Sequence, residues 1–178
     1  DTQAWTDAVR TLAQLQTLSI GQGATWVDTE ILRANGFRVV TAPTYESLLP
    51  MLDSGRFDVF SRGVNEISHE LTVGRQAFPS LAIERKLLLY YPLPRYFFFP
   101  RTAEGERLAQ RAEAGLRVLI KNGKFERRYQ DFKKAILSDI SLGGRRVFSI
   151  PNPLLPTETP LADRSLWDTL EPELRARP

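Results

Sequence analysis

Residues 44–60 read TYESLLPMLDSGRFDVF, and the fold turns on how this stretch is parsed. Thr44 is a polar cap, and the leucine-rich segment behind it has helical spacing. Gly55 stops that helix, because glycine enters the left-handed backbone of a helix end without a Cβ penalty. Pro50 falls inside the helix, so a kink or an irregular first turn is expected. From Asp58 to Ser61 the chain becomes apolar and β-prone. A helix that ends on glycine and runs straight into a buried strand is half of a βαβ unit.

The alternation continues in both directions. Val9, Leu12, Ala13 and Gln16 recur at helical spacing, predicting a helix from Thr6 to Gln14, then a strand at Leu18–Ile20 and a loop at Gly21–Ala24. Thr25, with Asp28 three positions on, reads as the capping pair of a helix that runs through Ile31 and Leu32 and stops at Gly36. Phe37–Thr41 is a strand, Asn65–Gln76 a helix, and Lys86–Tyr91 and Tyr96–Phe99 are strands parted by Pro92-Leu93-Pro94. Helices follow at Ala103–Lys121, stopped by Asn122-Gly123, and at Phe125–Leu137, and Val147–Ile150 is extended. From Pro151 the tail carries 6 of the 12 prolines and reads as extended chain. This order predicts an α/β fold, an open, mostly parallel sheet with helices on both faces. The candidate hinge is Tyr91–Arg95.

Composition narrows the function classes. The 178 residues are 42% hydrophobic, enough for a core, with no apolar run long enough to span a membrane. Asp1–Trp5 does not read as a signal peptide. The absence of cysteine removes disulfides and thiolate metal sites. Residues 101–146 hold 12 Lys/Arg against 6 Asp/Glu, but the acids are interspersed, so solvated helix faces are read here and no nucleic-acid partner. The single histidine, His69, lies in a polar helical stretch and reads as a solvated surface residue. Gly21-Gln22-Gly23 lacks the third glycine of a dinucleotide fingerprint, and Ser61 has no base near it in sequence. No catalytic residue, cofactor or metal ligand is nominated.

Three segments in order carry a family resemblance. Leu12–Thr25 (LAQLQTLSIGQGAT) has a helix, a strand and Gly-x-Thr; Tyr45–Phe60 has a leucine-rich helix, Gly-Arg-x-Asp and a strand. Tyr96–Tyr129 has an aromatic strand, Pro-Arg and a long helix closing on Asn-Gly-x-Phe and a tyrosine. Together they resemble the family 3 periplasmic solute-binding proteins, the substrate-binding type of amino-acid ABC transporters with a type II periplasmic binding fold. The C-terminal NPLLPTETPL is similar to proteobacterial relatives carrying a transporter-type substrate-binding domain.

The resemblance implies a second, small lobe at residues 6–92, a returning segment of the first lobe at 96–150 and a proline-rich extended tail at 151–178. With the opening half of the first lobe not in this sequence, an apolar face of the helices after Ala103 is expected to await cover, by a homodimer or a swapped partner. It further implies a non-catalytic, extracytoplasmic (periplasmic) binder of a small polar solute that delivers to a membrane permease. A ligand-sensing domain of a signalling protein is the alternative use of the same fold.

In that fold the ligand lies at the carboxyl ends of the strands. Gly23, Ala24 and Thr25 stand where a strand gives way to a helix start whose N–H groups attract anions, an ordinary cap being the competing reading. Trp26 walls the cleft or joins the core. Ser61, Arg62 and Asn65 stand at the end of the next strand, and Gly63 occupies the place where amino-acid binders of the family carry an ammonium-binding aspartate. Arg62 there suits a carboxylate-bearing solute, the alternatives being a solvent-facing side chain or a carbonyl cap. Asp58 is assigned a structural role.

Overall fold

In the computed structural model, which describes residues 6–175, the deciding stretch folds as a 3₁₀ turn at Tyr45–Ser47, a helix at Leu48–Asp53 and a strand at Val59–Phe60. Pro50 is tolerated because it sits in the first turn of that helix, where its missing N–H costs no hydrogen bond. Gly36 and Gly55 end their helices at φ +77° and +69°, the left-handed conformation expected of both.

The strands are β1 (Ser19–Gly23), β2 (Arg38–Ala42), β3 (Val59–Phe60), β4 (Leu87–Tyr90) and β5 (Arg146–Ser149). The helices are α1 (Leu12–Leu15), α2 (Val27–Ala34), α3 (Leu48–Asp53), α4 (Ile67–Gly74), α5 (Ala103–Lys121), α6 (Lys124–Ile136) and α7 (Glu171–Arg175). They form two compact units: one takes in residues up to Pro92 and from Ser141 onward, the other is Leu93–Ile140. The division at Pro92–Leu93 falls inside the Tyr91–Arg95 segment expected to be a hinge.

The first unit is α/β with parallel strands. One sheet has the order β2-β1-β3, parallel throughout, with Ile20 level with Val39 and Val59. A second, two-stranded parallel sheet pairs β4 with β5. The expected single open sheet is thus two small sheets. Alternate residues of the pleat feed two cores, as a period of two requires. Ile20, Val39 and Val59 pack with Leu15 of α1, Ile31 and Leu32 of α2, and Phe148 and Leu89 of the second sheet. Val40, Ala42 and Phe60 pack on the other side with Leu48 and Met51 of α3 and with Phe57. Helices therefore cover both faces of the three-stranded sheet.

Several expectations are corrected. The first helix is broken: residues 6–8 are helical, and Thr11 and Gln14 then form a capping box that starts α1 afresh. Gly21–Gly23, expected in a loop, continue β1, where a Cβ on Gly21 would fall 2.2 Å from the Phe57 ring. Arg146–Ser149, assigned to the returning segment, pairs instead with Leu87–Tyr90 and belongs to the first unit. The tail is not wholly extended: α7 forms with Pro172 near its start, where proline is tolerated. Asn152 is buried, its Nδ2 donating to the Pro92 carbonyl at 3.0 Å.

The second unit is an α5–α6 hairpin preceded by extended chain. Tyr96–Phe99, expected as a buried strand, finds no strand partner among the described residues, and Phe97 and Phe98 are 73% and 91% exposed. Leu108, Val118, Ile120, Phe125 and Phe132 are also exposed along the hairpin.

Candidate functional site

Strand order 2-1-3 makes β1 the point where connections leave in opposite directions, and the crevice beyond its carboxyl end is where doubly wound folds bind ligands. β1 ends at Gly23. A Cβ there would fall 2.4 Å from the Trp26 indole, so only glycine lets Trp26 fold back over the strand end. Trp26 stacks with Phe60, the last residue of β3, at 6.3 Å and 17°. Phe60 also meets Tyr45 from the start of the 3₁₀ turn, at 6.2 Å.

These three rings enclose the Arg62 guanidinium, whose carbon lies 4.7 Å from the Trp26 centroid, 5.3 Å from Phe60 and 5.6 Å from Tyr45. Arg62 Nε and Nη2 donate to both carboxylate oxygens of Glu70 at 2.7 and 2.6 Å, and Nη2 lies 3.0 Å from Glu66 Oε2. Burial alone would ease the proton off Arg62, but these carboxylates outweigh it and hold the guanidinium more firmly charged than usual. Tyr45 is pushed above the ordinary tyrosine range by burial, with Glu70 adding to the effect.

On the opposite side of β1, Tyr91 donates its hydroxyl to Asp28 Oδ1 at 2.5 Å. Burial, and then this hydrogen bond to a carboxylate, push the phenol far above its usual range, so Tyr91 is a fixed donor. Gln22 is 1% exposed, and its Nε2 donates to the Ser61 carbonyl at 3.1 Å. Its Oε1 is buried with no partner among the described residues. A buried acceptor left unpaired costs about 1–3 kcal/mol and marks a place where a donor fits.

The sequence-nominated residues divide clearly. Gly23, Trp26 and Arg62 meet on one indole, and Ser61 joins them through its carbonyl. Ala24 spends its N–H on the Ala42 carbonyl at 2.8 Å. Thr25 is exposed and does not cap α2; Trp26 holds the N-cap position, with no side-chain cap bond. Asn65 is exposed, its Oδ1 lying over Gly63. Two features bear on an anion at this place. Arg62 is already matched by carboxylates, and the first turn of α2 carries Asp28 and Glu30, which answer the helix dipole and repel a ligand anion.

Asp58 is structural, as expected: it accepts from the Ser19 amide and hydroxyl at 2.7 and 2.6 Å, at the opposite end of the sheet. His69 is exposed. Sequence reasoning missed Gln22, Tyr45, Phe60, Glu66, Glu70 and Tyr91. The signal within reach was the Arg62, Glu66, Glu70 spacing, which puts two acids one and two helical turns beyond the arginine.

Among the described residues no group of three histidine or acidic side chains could hold a metal ion, and no helix is long and apolar enough to cross a membrane. No protein-family description, curated protein or solved structure matches the chain.

Proposed function

We propose that this chain captures a small polar solute without making or breaking a bond. In this reading residues 6–92 are the second lobe of a type II periplasmic binding fold of solute-binding family 3, and the helices after Ala103 return toward the first lobe. The observation that carries it is a built polar and aromatic cluster at the carboxyl ends of β1 and β3, where order 2-1-3 leaves a crevice. The apolar face left open on α5 and α6 supports the second half of the reading, because the rest of a first lobe, or a swapped copy of this chain, would cover it.

The solute would sit at the carboxyl ends of β1 and β3, and its binding would shift the population toward the bound conformation. The physiological setting proposed is extracytoplasmic, with delivery to a membrane permease of the ABC type. The test is a thermal-shift screen of the chain against amino acids, polyamines, dicarboxylates and sugars. A solute at a hundredfold excess over its Kd adds about 2.7 kcal/mol of stability. A reproducible rise in Tm with one chemical class supports capture, and a flat response across all classes overturns it.

A further inference from the structure

We infer that Asn122-Gly123, the turn between α5 and α6, is a modification site at which the asparagine deamidates to aspartate and isoaspartate, while the fold protects the chain's other Asn-Gly pair, Asn35-Gly36. This stands apart from the solute-binding reading. The two pairs are matched in backbone. Each asparagine is the C-cap of a helix, with φ −95° and ψ 18° at Asn35 and φ −93° and ψ 8° at Asn122. Each glycine is left-handed, at φ +77° and +70°. Each donates its N–H at 3.0 Å to a carbonyl of the preceding turn, Arg33 for Gly36 and Ile120 for Gly123. Backbone geometry therefore does not separate them.

The side chains do. Asn35 Nδ2, the group that must depart, donates to the carbonyls of Ile31 and Pro151, both at 2.8 Å. Gln16 Nε2 holds the Asn35 carbonyl at 2.7 Å. Phe37, the next residue after this pair, is 5% exposed, so turning the backbone here would draw its ring out of the core. Asn122 is exposed, and Lys124 beyond the turn is exposed too. Asn122 Oδ1 accepts from the Lys124 amide at 3.0 Å, which draws electrons from Cγ, and its Nδ2 has no hydrogen-bond partner among the described residues. A Cβ on Gly123 would fall 3.4 Å from Arg127 Nη1, so a guanidinium stands beside the attacking amide and favours its anion. The atom nearest the same point on Gly36 is the neutral Gln16 Nε2, at 3.3 Å. An exposed turn with few buried neighbours opens at low cost, and opening frees the Gly123 amide from Ile120.

In the reaction the Gly123 nitrogen gives its proton to hydroxide and bonds to Asn122 Cγ. The Cγ–Nδ2 bond breaks, Nδ2 leaves as ammonia, and a succinimide ring closes. Water then opens either C–N bond of the ring. One opening gives aspartate; the other gives isoaspartate, which routes the main chain through Cγ and lengthens the α5–α6 turn by one carbon.

The test keeps the full chain at mildly alkaline pH and follows the peptides carrying residues 35 and 122 by chromatography and mass spectrometry. The Asn122 peptide is expected to split into two acid forms of equal mass, at least about tenfold faster than the Asn35 peptide reacts. In denaturing urea the two rates should converge, because the bonds that hold Asn35 are gone. Asn122→Gln, which would need a larger ring, should abolish the reaction at that turn. Equal rates in the folded chain, or Asn35 reacting first, overturn the inference. An Asn122 that stays intact in the folded chain while the unfolded chain reacts also overturns it, and so does a tenfold gap that persists in urea.

Discussion

Arg62 and Glu70 form a two-pronged pair at 2.7 and 2.6 Å that ties the turn after β3 to the middle of α4. The arginine side chain is only 16% exposed and the glutamate 20%, so the pair is shielded from solvent. Arg62→Ala strips Glu70 and Glu66 of their partner and empties the aromatic box. We expect a loss of about 2–3 kcal/mol in urea unfolding, below the cost of breaking a fully buried pair. Arg62→Lys keeps the charge but not the fork or the flat stacking, and recovers less than half of the loss.

Asp58 joins the start of β1 to the approach of β3. Burial works to raise its pKa, but two hydrogen bonds from Ser19 and the nearby Arg38 outweigh that and set it below the usual aspartate value. A carboxylate with a depressed folded pKa contributes stability above its unfolded pKa, and that contribution disappears as pH falls through the folded value. The stability curve of the wild type should therefore drop below about pH 4, and Asp58→Asn should flatten that acid limb. At neutral pH the variant should lose about 1 kcal/mol, a modest figure because the carboxylate is half exposed.

Tyr91→Phe removes one hydroxyl and leaves Asp28 without its buried donor. The expected cost in chemical denaturation is about 1–2 kcal/mol, with no change of secondary structure. An unchanged midpoint would show that the phenol contributes nothing at this position.

Gly21→Ala places a methyl group against the Phe57 ring, at 2.2–2.6 Å from its atoms before relaxation. Overpacking of this kind costs about 1–3 kcal/mol. In a Phe57→Leu background the same change should cost less, because the two positions share one space. Additive losses would mean that the backbone, not the ring, absorbs the added carbon.

Much of the frame was legible in the residues. Gly55 and Gly36 announced helix ends, Asn122-Gly123 closed the helix at Ala103–Lys121, and the βα alternation pointed to parallel pairing. The errors came from tertiary partners that a local pattern does not carry. Gly21 and Gly23 look like loop residues until Phe57 and Trp26 are seen lying over them. Arg146–Ser149 looks like part of the segment it follows, yet its pairing partner lies far back at Leu87–Tyr90. Phe97 and Phe98 have the composition of a strand and nothing to pair with.

The site was half visible for a related reason. Gly23, Trp26 and Arg62, read as neighbours at two strand ends, do lie together on one indole. An arginine reads as an anion holder in sequence, and the acids that pair with it are seen only in the structure. Glu66 holds the N-cap position of α4 and Glu70 lies in its first turn, so their approach to Arg62 depends on how the turn after β3 leads into that helix.

The most direct measurement of the central claim is an amide ¹H–¹⁵N chemical-shift titration of the full chain with whichever solute stabilises it. The account predicts that the largest shifts fall at Gly23–Asp28 and Ser61–Glu66, together with the side-chain amide of Gln22, at the carboxyl ends of β1 and β3. Shifts confined to Leu93–Ile140, or scattered over the surface with the Gln22 amide unmoved, would contradict it.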